Sequence, residues 1–497
     1  MTQHAVARYA PLFVVSLLAA SPRASPQQPD SCYRVETITT PPGHAPEVSA
    51  LAFARDGGLV VALRLGTMWT LDPKTREWRL FASGLHWPLG ILPGAEGEFF
   101  VAQIPELTRV ADTDGDGVAD VYETICDAWG LSGNYHEFLA GPLRDRDGNF
   151  WVALGCASSS GALREPLRGP LTDRPRRGEV YGHHAPVPWR GWIVRISPGG
   201  ELTPVASGLR QPNGLCQNLD GELFAVDNQG DWVGTSPLHH VTWGAFHGHP
   251  ASLVWDRRMT RHPQDIPVDE LRAMRKPAAV LFPQNDLAGS IAAPLCDTTD
   301  GRFGPYSGQL FVADWSHPRI HRVALERIDG VWQGACFSFL EGGELRRGGN
   351  RLAFAPDGSL WIAQVSRLWG GTGEGLQRVV FTGTTPIDIL AMKLAPDGFV
   401  LEMTRPVDPA SSARTDAYSL QRYRYLYHAT YGSPKVDVET VPIDAADVSA
   451  DGRSVHLRVR TIEAGFVYDL RPRGVRSAGG APMPTRLAAY TVHRVIE

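Results

Sequence analysis

Six times along the chain a glycine is followed, one residue later, by four consecutive apolar residues. The copies are Gly57 with 59–62, Gly97 with 99–102, Gly148 with 150–153, Gly221 with 223–226, Gly308 with 310–313 and Gly358 with 360–363. In four of them the glycine follows an aspartate, and Asp-Gly between apolar runs signals a hairpin, because the turn needs a positive φ. A short strand precedes the turn, as at 49–53 and 351–355, and a third follows, as at 192–196 and 319–323. A fourth closes several units, as at 78–82. Four strands in each of six units predict an all-β chain built on a six-bladed β-propeller. The segment 33–38 is placed to supply the outer strand missing from the last unit and so close the ring. A second repeat keeps the same register: 83–91 (Ser-Gly-Leu-His-Trp-Pro-Leu-Gly-Ile) matches 207–215 (Ser-Gly-Leu-Arg-Gln-Pro-Asn-Gly-Leu), each lying between an outer strand and the next inner one.

After residue 383 the pattern stops. Residues 384–497 read as separate strands at 397–403, 454–459 and 465–470, which suits a small immunoglobulin-like β-sandwich. Ahead of the repeats, Arg8 and the apolar run 10–20 read as a secretory signal with cleavage between Ala20 and Ala24. The expected organisation is therefore a signal peptide over 1–24, the propeller over 33–383 and the sandwich over 384–497. The protein is expected to be secreted or periplasmic. No stretch approaches the roughly 18 apolar residues of a membrane span. A formal net charge of −5 gives no basic excess for nucleic acid. Six cysteines (Cys32, Cys126, Cys156, Cys216, Cys296 and Cys336) leave any disulfide connectivity open. Cys-x-x-Cys-His is absent, so the chain carries no c-type haem of its own.

In a propeller, loops entering the innermost strand and leaving the second strand gather on one face around the channel. Gln103, Asp227, Asp314 and Gln364 directly follow second strands; His136, Arg210, Gln211, Asn213, Asn350 and Arg351 enter inner ones. Amides, carboxylates, arginines and a histidine on one rim suit a polyhydroxylated ligand, although such residues also serve simply to bind turns. Long insertions in unit three (155–189) and unit four (228–285) enlarge this face, and the latter adds Asn228, Asp231 and Trp232. His239, His240, His247 and His249 follow, but with no carboxylate at a ligand-like spacing they suit turns or packing better than zinc.

The clearest ion signal is the run from Asp112 to Glu123. Asp112, Asp114, Asp116, Asp120 and Glu123 occupy positions 1, 3, 5, 9 and 12 of a calcium loop, with Gly117 at the tight turn and Val118 at the backbone-carbonyl position. It lies between the third and fourth strands of unit two, away from the expected ligand face, and reads as structural.

Over residues 45–383 the chain resembles the soluble quinoprotein glucose/sorbosone dehydrogenases. The resemblance rests on Tyr135-His136-Glu137 ahead of 141–148, and on 208–215 followed by Asp227-Asn-Gln-Gly230. Gly230-Asp-Trp232, 248–253 and 350–358 also look like large exported bacterial dehydrogenase-like proteins in which a similar propeller precedes a haem-binding module. The resemblance implies a carbohydrate substrate and pyrroloquinoline quinone as cofactor. It gives His136 the role of general base and Arg210 that of stabilising charge on the reduced quinone. Gln211 stands where that family has asparagine. Arg346 and Arg347 precede the place of its cofactor-clamping arginine pair, which Gly348 and Asn350 occupy. With no haem motif, electrons would pass to an external acceptor. Two other readings stand beside this one: a calcium-dependent propeller hydrolase or lactonase using Asp227, Asp314 and Asn213, and a non-catalytic glycan-binding propeller.

Overall fold

The computed structural model describes residues 32–72, 75–159, 167–172, 182–365 and 373–496. The expected signal peptide lies outside them. All six repeat glycines sit in the left-handed region, with φ from +69° to +86°, as the hairpins require. Each hairpin belongs to its own antiparallel sheet, four-stranded and in chain order in the first four units. Sheet one comprises Val48–Phe53, Leu59–Leu63, Thr67–Leu71 and Trp78–Ala82; sheet two comprises Pro88–Pro93, Glu98–Gln103, Glu106–Ala111 and Val121–Cys126. Sheet three is Leu139–Arg144, Phe150–Leu154, Trp192–Ile196 and Leu202–Ser207, and sheet four is Gly214–Gln217, Leu223–Val226, Pro237–His240 and Val280–Leu281. Sheet five begins Ile291–Cys296, Leu310–Asp314, Arg319–Ile328 and Val331–Glu341. Sheet six joins Gly349–Phe354, Leu360–Gln364 and Gly375–Phe381 to Tyr33–Ile38, which pairs antiparallel from Tyr33↔Phe381 to Ile38↔Leu376.

The first strands of successive sheets touch in order, and that of sheet six touches that of sheet one, so the six sheets make a ring. Apolar faces seal the gaps between neighbours. Between sheets two and three, Phe100, Leu107, Phe150, Val152, Trp192 and Val194 pack together. Full burial of such a side chain stabilises by about 1.5–3 kcal/mol. All six cysteines are buried, and Cys126, Cys216, Cys296 and Cys336 are free thiols. The unit-four insertion is divided differently from the sequence expectation. The strand Pro237–His240 interrupts it, leaving a short loop before that strand and a long one after it, with the helix Val268–Met274. The apolar Pro-Leu pair at 237–238 pairs with Val280–Leu281, and this pairing divides the segment. Among the described residues, no helix is long and apolar enough to cross a membrane.

The C-terminal strands form two layers. One is a sheet of Ile389–Ala395, Gly398–Met403, Ser454–Arg458 and Ala445–Val448. The other contains Tyr418–Tyr425, Lys435–Thr440, Val467–Pro472 and Ala488–Thr491, and the last of these pairs with Val331–Glu341, making sheet five eight-stranded. Hydrogen bonding thus continues across the boundary expected at 383/384. Ala324, Ala335 and Phe337 of sheet five belong to the same core as Phe399, Leu457 and Tyr490. A fully buried ion pair fastens the junction: Arg322 Nη2 lies 3.3 Å from Asp388 Oδ2, which also accepts from Tyr306 Oη at 2.8 Å.

Candidate active site

Antiparallel order brings the loops entering first strands and those leaving second strands to one end of the ring, where they enclose a cavity of about 1150 Å³. Every sheet contributes. Arg64 comes from sheet one and Trp87 and Leu89 from sheet two. His136, Phe138, Ser158 and His183 come with sheet three, and Arg210, Gln211, Asn213, Asn228 and Asp231 with sheet four. Ser290 and Trp315 come with sheet five, and Asn350 and Arg351 with sheet six. The C-terminal layers also reach in, through Ala429, Thr430 and Tyr431. Of the expected site residues, the structure therefore gathers His136, Arg210, Gln211, Asn213, Asn228, Asp231, Asn350 and Arg351.

Five expected ligand-binding residues are elsewhere. Gln103, Asp227, Asp314 and Gln364 do not line the cavity; each clamps the loop that enters its own sheet. Gln103 Oε1 accepts from His86 N at 2.5 Å, and Gln364 Nε2 donates to Arg346 O at 3.1 Å. Asp227 accepts from Arg210 N and Gln211 N, both at 2.7 Å, and Asp314 from Gly289 N at 2.7 Å and Ser290 N at 3.2 Å. Loop backbone groups buried at this end need partners: Gln103, Asp227 and Asp314 supply acceptors to N–H groups, and Gln364 supplies a donor to a carbonyl. Burial raises the pKa of Asp227 against those bonds. Burial also opposes the charge of Asp314, but His317 and His321 beside it hold its carboxyl below the usual range. Trp232 packs on Tyr427, with ring centroids 5.3 Å apart. The hydrolase reading thereby loses the two carboxylates on which it rested.

Three arginines meet the cavity in different states. Arg64 is paired with Glu47 through two contacts of 2.7 Å. Arg210 Nε donates to Asp231 Oδ1 at 2.7 Å, and its guanidinium lies 5.3 Å from the Tyr431 ring centre. Gly230 makes room for it, since a Cβ there would fall 1.9 Å from Arg210 Nε. Arg351 has no carboxylate partner among the described residues. It donates to Leu89 O at 2.6 Å, Asn350 O at 2.7 Å and Asn213 Oδ1 at 3.0 Å, tying three sheets together across the ring. Burial lowers its pKa to about 10, which leaves it charged at neutral pH.

His136 Nδ1 lies 2.5 Å from Ser158 Oγ, and its ring stacks on Tyr135 at 4.2 Å. Gln211 Nε2 donates to His136 O at 3.0 Å and to Cys156 O at 2.5 Å, so Gln211 fixes the backbone that carries the histidine. Asp231 is the hub of a second cluster beside it. It accepts from His183 N at 2.7 Å and lies 3.0 Å from His183 Nδ1 and 2.9 Å from His249 Nε2. Burial opposes its charge, but His249 and His183 hold its carboxyl well below the ordinary range. Apolar wall is supplied by Trp87, stacked on Phe138 at 5.9 Å and 16°, and by Trp315.

At the far end of sheet two, the calcium-like loop joins Glu106–Ala111 to Val121–Cys126, as expected. Ligand atoms of Asp112, Asp114 and Asp116 lie within 4.8 Å of one another. Asp120 instead accepts from Thr113 N at 3.0 Å, and Glu123 pairs with Arg109 at 3.2 Å. Val118 donates its N–H to Asp116 Oδ1 at 2.8 Å.

A family model for a domain of unknown function, DUF7133, matches residues 69–368. The chain belongs to that family. The DUF7133 match runs from the third strand of sheet one past the second strand of sheet six, and so takes in nearly the whole cavity wall. No curated protein matches. Solved structures similar to the chain include an oxidoreductase (glucose dehydrogenase) from Thermus thermophilus, at 20% identity and TM-score 0.49, covering 70% of this chain and 100% of that one. The PQQ-bound aldose sugar dehydrogenase of Streptomyces coelicolor is similar at 17% identity and TM-score 0.44, covering 70% of this chain and 98% of that one. The PQQ domain of pyranose dehydrogenase from Coprinopsis cinerea is similar at 13% identity and TM-score 0.48, covering 70% and 95%. At these identities and scores no activity passes from them to this chain.

Arg64, Trp87, Phe138, Ser158, His183, Trp315 and Tyr431 were not singled out by sequence pattern. Arg64 and Trp315 stand directly after second strands, one position beyond the residue that follows the apolar quartet, so the rule that chose Gln103 stops one residue short of them. Tyr431 lies in the C-terminal layers, where no repeat gives a register.

Proposed function

We propose that this DUF7133 protein is a secreted or periplasmic six-bladed propeller with an immunoglobulin-like C-terminal sandwich, and that it oxidises a sugar or sugar derivative. The observation that carries this reading is the meeting, in one cavity, of two imidazoles, a carboxylate-paired Arg210 and an Arg351 whose partners among the described residues are carbonyl and amide oxygens. A neutral imidazole accepts the proton of a hydroxyl, and fixed guanidinium charge in a partly desolvated wall favours negative charge developing beside it. Trp87, Phe138 and Trp315 offer faces for the apolar side of a sugar and keep water away from the reacting atoms.

The donor set fits pyrroloquinoline quinone, a planar polycarboxylate: Arg351 has no counter-anion among the described residues, and the wall carries Trp87, Phe138 and Trp315. Arg351, Arg210 and Asn213 are the residues that would hold it, and the chemistry such a cofactor supplies is acceptance of a hydride. Electrons would leave to an external acceptor, since the sequence carries no haem motif. The Asp112, Asp114 and Asp116 cluster supports a structural calcium ion on the opposite face.

The test is dye reduction by purified protein supplied with pyrroloquinoline quinone and calcium, over a panel of aldoses, uronic acids and sugar alcohols. Quinone-dependent turnover on at least one of them is expected. Saturable sugar binding without dye reduction would replace this reading with the glycan-binding one.

A further inference from the structure

Two imidazoles line the cavity, and their surroundings differ. His136 Nδ1 meets the Ser158 hydroxyl, which donates as readily as it accepts. His183 stands on the two-residue ribbon His183–His184, which pairs with Ala157–Ser158 and so places it beside His136, with ring centroids 5.5 Å apart. Its Nδ1 faces Asp231 Oδ1 at 3.0 Å, and its backbone N–H donates to the other oxygen at 2.7 Å. An ionised carboxylate only accepts, so Nδ1 carries the hydrogen and Nε2 keeps its lone pair. That Nε2 is buried and has no hydrogen-bond partner among the described residues, in a side chain only 7% exposed. A buried acceptor left unpaired at a cavity wall is a place for a ligand's hydroxyl.

The charged groups around this pair agree with that assignment. Arg210 and His249 both bind Asp231, at 2.7 Å and 2.9 Å, and keep it ionised; His184 is adjacent, and its Nε2 is likewise buried without a partner. Burial holds His183 neutral well below its ordinary pKa, against the pull of Asp231.

We propose that His183, oriented by Asp231, is the group that accepts the substrate's hydroxyl proton. The proposal rests on the oxidoreductase reading and names the base within it. In the step, the carbinol C–H bond breaks and its electron pair leaves with the hydrogen as hydride, reducing the quinone-class oxidant by two electrons. The O–H proton passes to Nε2, and the carbinol becomes a carbonyl. Asp231 is the positioning residue, because it fixes the tautomer and then faces an imidazolium. The substrate must present a free hydroxyl on the oxidised carbon, so a sugar blocked at that position is not turned over.

The experiment has two arms on the full chain. In the first, nitrogen-15 histidine spectra at pH 7, assigned with His183→Gln, read the tautomer without any substrate. A neutral ring protonated at Nδ1, shifted in Asp231→Asn, is expected; an imidazolium or an Nε2–H tautomer overturns the proposal. In the second, on whichever sugar is active, His183→Gln lowers kcat by about 10² to 10⁴, the usual worth of a positioned base, while quinone Kd and the melting temperature hold. Added imidazole then restores part of the activity of His183→Gly. Wild-type kcat in His183→Gln with loss in His136→Gln overturns the proposal and leaves the oxidoreductase reading intact. If the unaltered chain reduces no dye on any sugar, the reading fails, and the reaction assigned to His183 fails with it.

Discussion

Acidification from about pH 7 to about pH 4.5 should destabilise this protein through its buried histidines. Burial lowers the pKa of His184 to about 4 and of His247 to about 3, against an ordinary 6.5. A folded-state pKa below the unfolded one means that the unfolded chain takes up the proton first. The associated stability is therefore present above pH 6.5 and lost as the pH falls toward the folded value. At pH 4.5 the unfolded imidazole is almost fully protonated and the folded one mostly not, so each histidine costs about 2–3 kcal/mol there, and the two together roughly 5. His183 and His239, lowered by burial as well, act in the same direction. Asp227, Asp297 and Asp469, raised by burial, act in the opposite sense, and they offset the loss as the pH enters the carboxylate range. Urea midpoints followed by far-UV circular dichroism at pH 7, 6, 5 and 4.5 measure this directly. The unfolding free energy should fall by about 2.7 kcal/mol per pH unit near pH 5 from these two groups alone, and His184→Asn should remove about half of that slope. A midpoint that stays flat between pH 7 and pH 5 would refute the reasoning, because it would mean that these imidazoles are either solvated or already charged in the fold.

Asp388→Ala leaves the fully buried Arg322 guanidinium without its carboxylate and frees Tyr306 Oη, so urea unfolding should show a loss of about 3–5 kcal/mol. Gly230→Ala drives a methyl into the Arg210 guanidinium, which must swing off Asp231. Because only the end of a flexible side chain gives way, the melting temperature should hold while quinone affinity falls about 10- to 100-fold, the worth of one charged hydrogen bond. Chelation should lower the melting temperature and calcium restore it, and Asp114→Ala should abolish both responses. Identical melts of the wild type with and without chelator would remove the ion from the account.

The ring was legible because its repeat is written in residues with few alternatives. A glycine at positive φ followed by a four-residue apolar strand specifies a hairpin wherever it occurs, and the six copies locate all six sheets. The pairing of Tyr33–Ile38 with Gly375–Phe381 was legible for a related reason: a unit lacking an outer strand leaves an edge that the chain's own start can cover. Site residues were legible as a rim but not as roles. Asp227 and Arg210 look equally available in sequence, yet the carboxylate of one is consumed by two loop N–H groups while the guanidinium of the other faces the cavity. Which way a polar side chain turns at a loop depends on which buried N–H groups need an acceptor, and that is settled only by tertiary packing. The meeting of His183 and His249 on Asp231 joins positions 48 and 18 residues away, with no shared periodicity to announce it. The fusion of the C-terminal strands onto sheet five was likewise hidden, since any exposed edge strand could have received Ala488–Thr491.

The central claim, that this cavity takes a quinone-class oxidant against Arg351, is tested most directly by equilibrium titration of purified protein with pyrroloquinoline quinone, read by quenching of tryptophan fluorescence. Saturable binding of one quinone per chain is predicted, weakened at least tenfold in Arg351→Lys, which keeps the charge but loses the fork. Absence of saturable binding, or an affinity that Arg351→Lys leaves unchanged, would contradict the account.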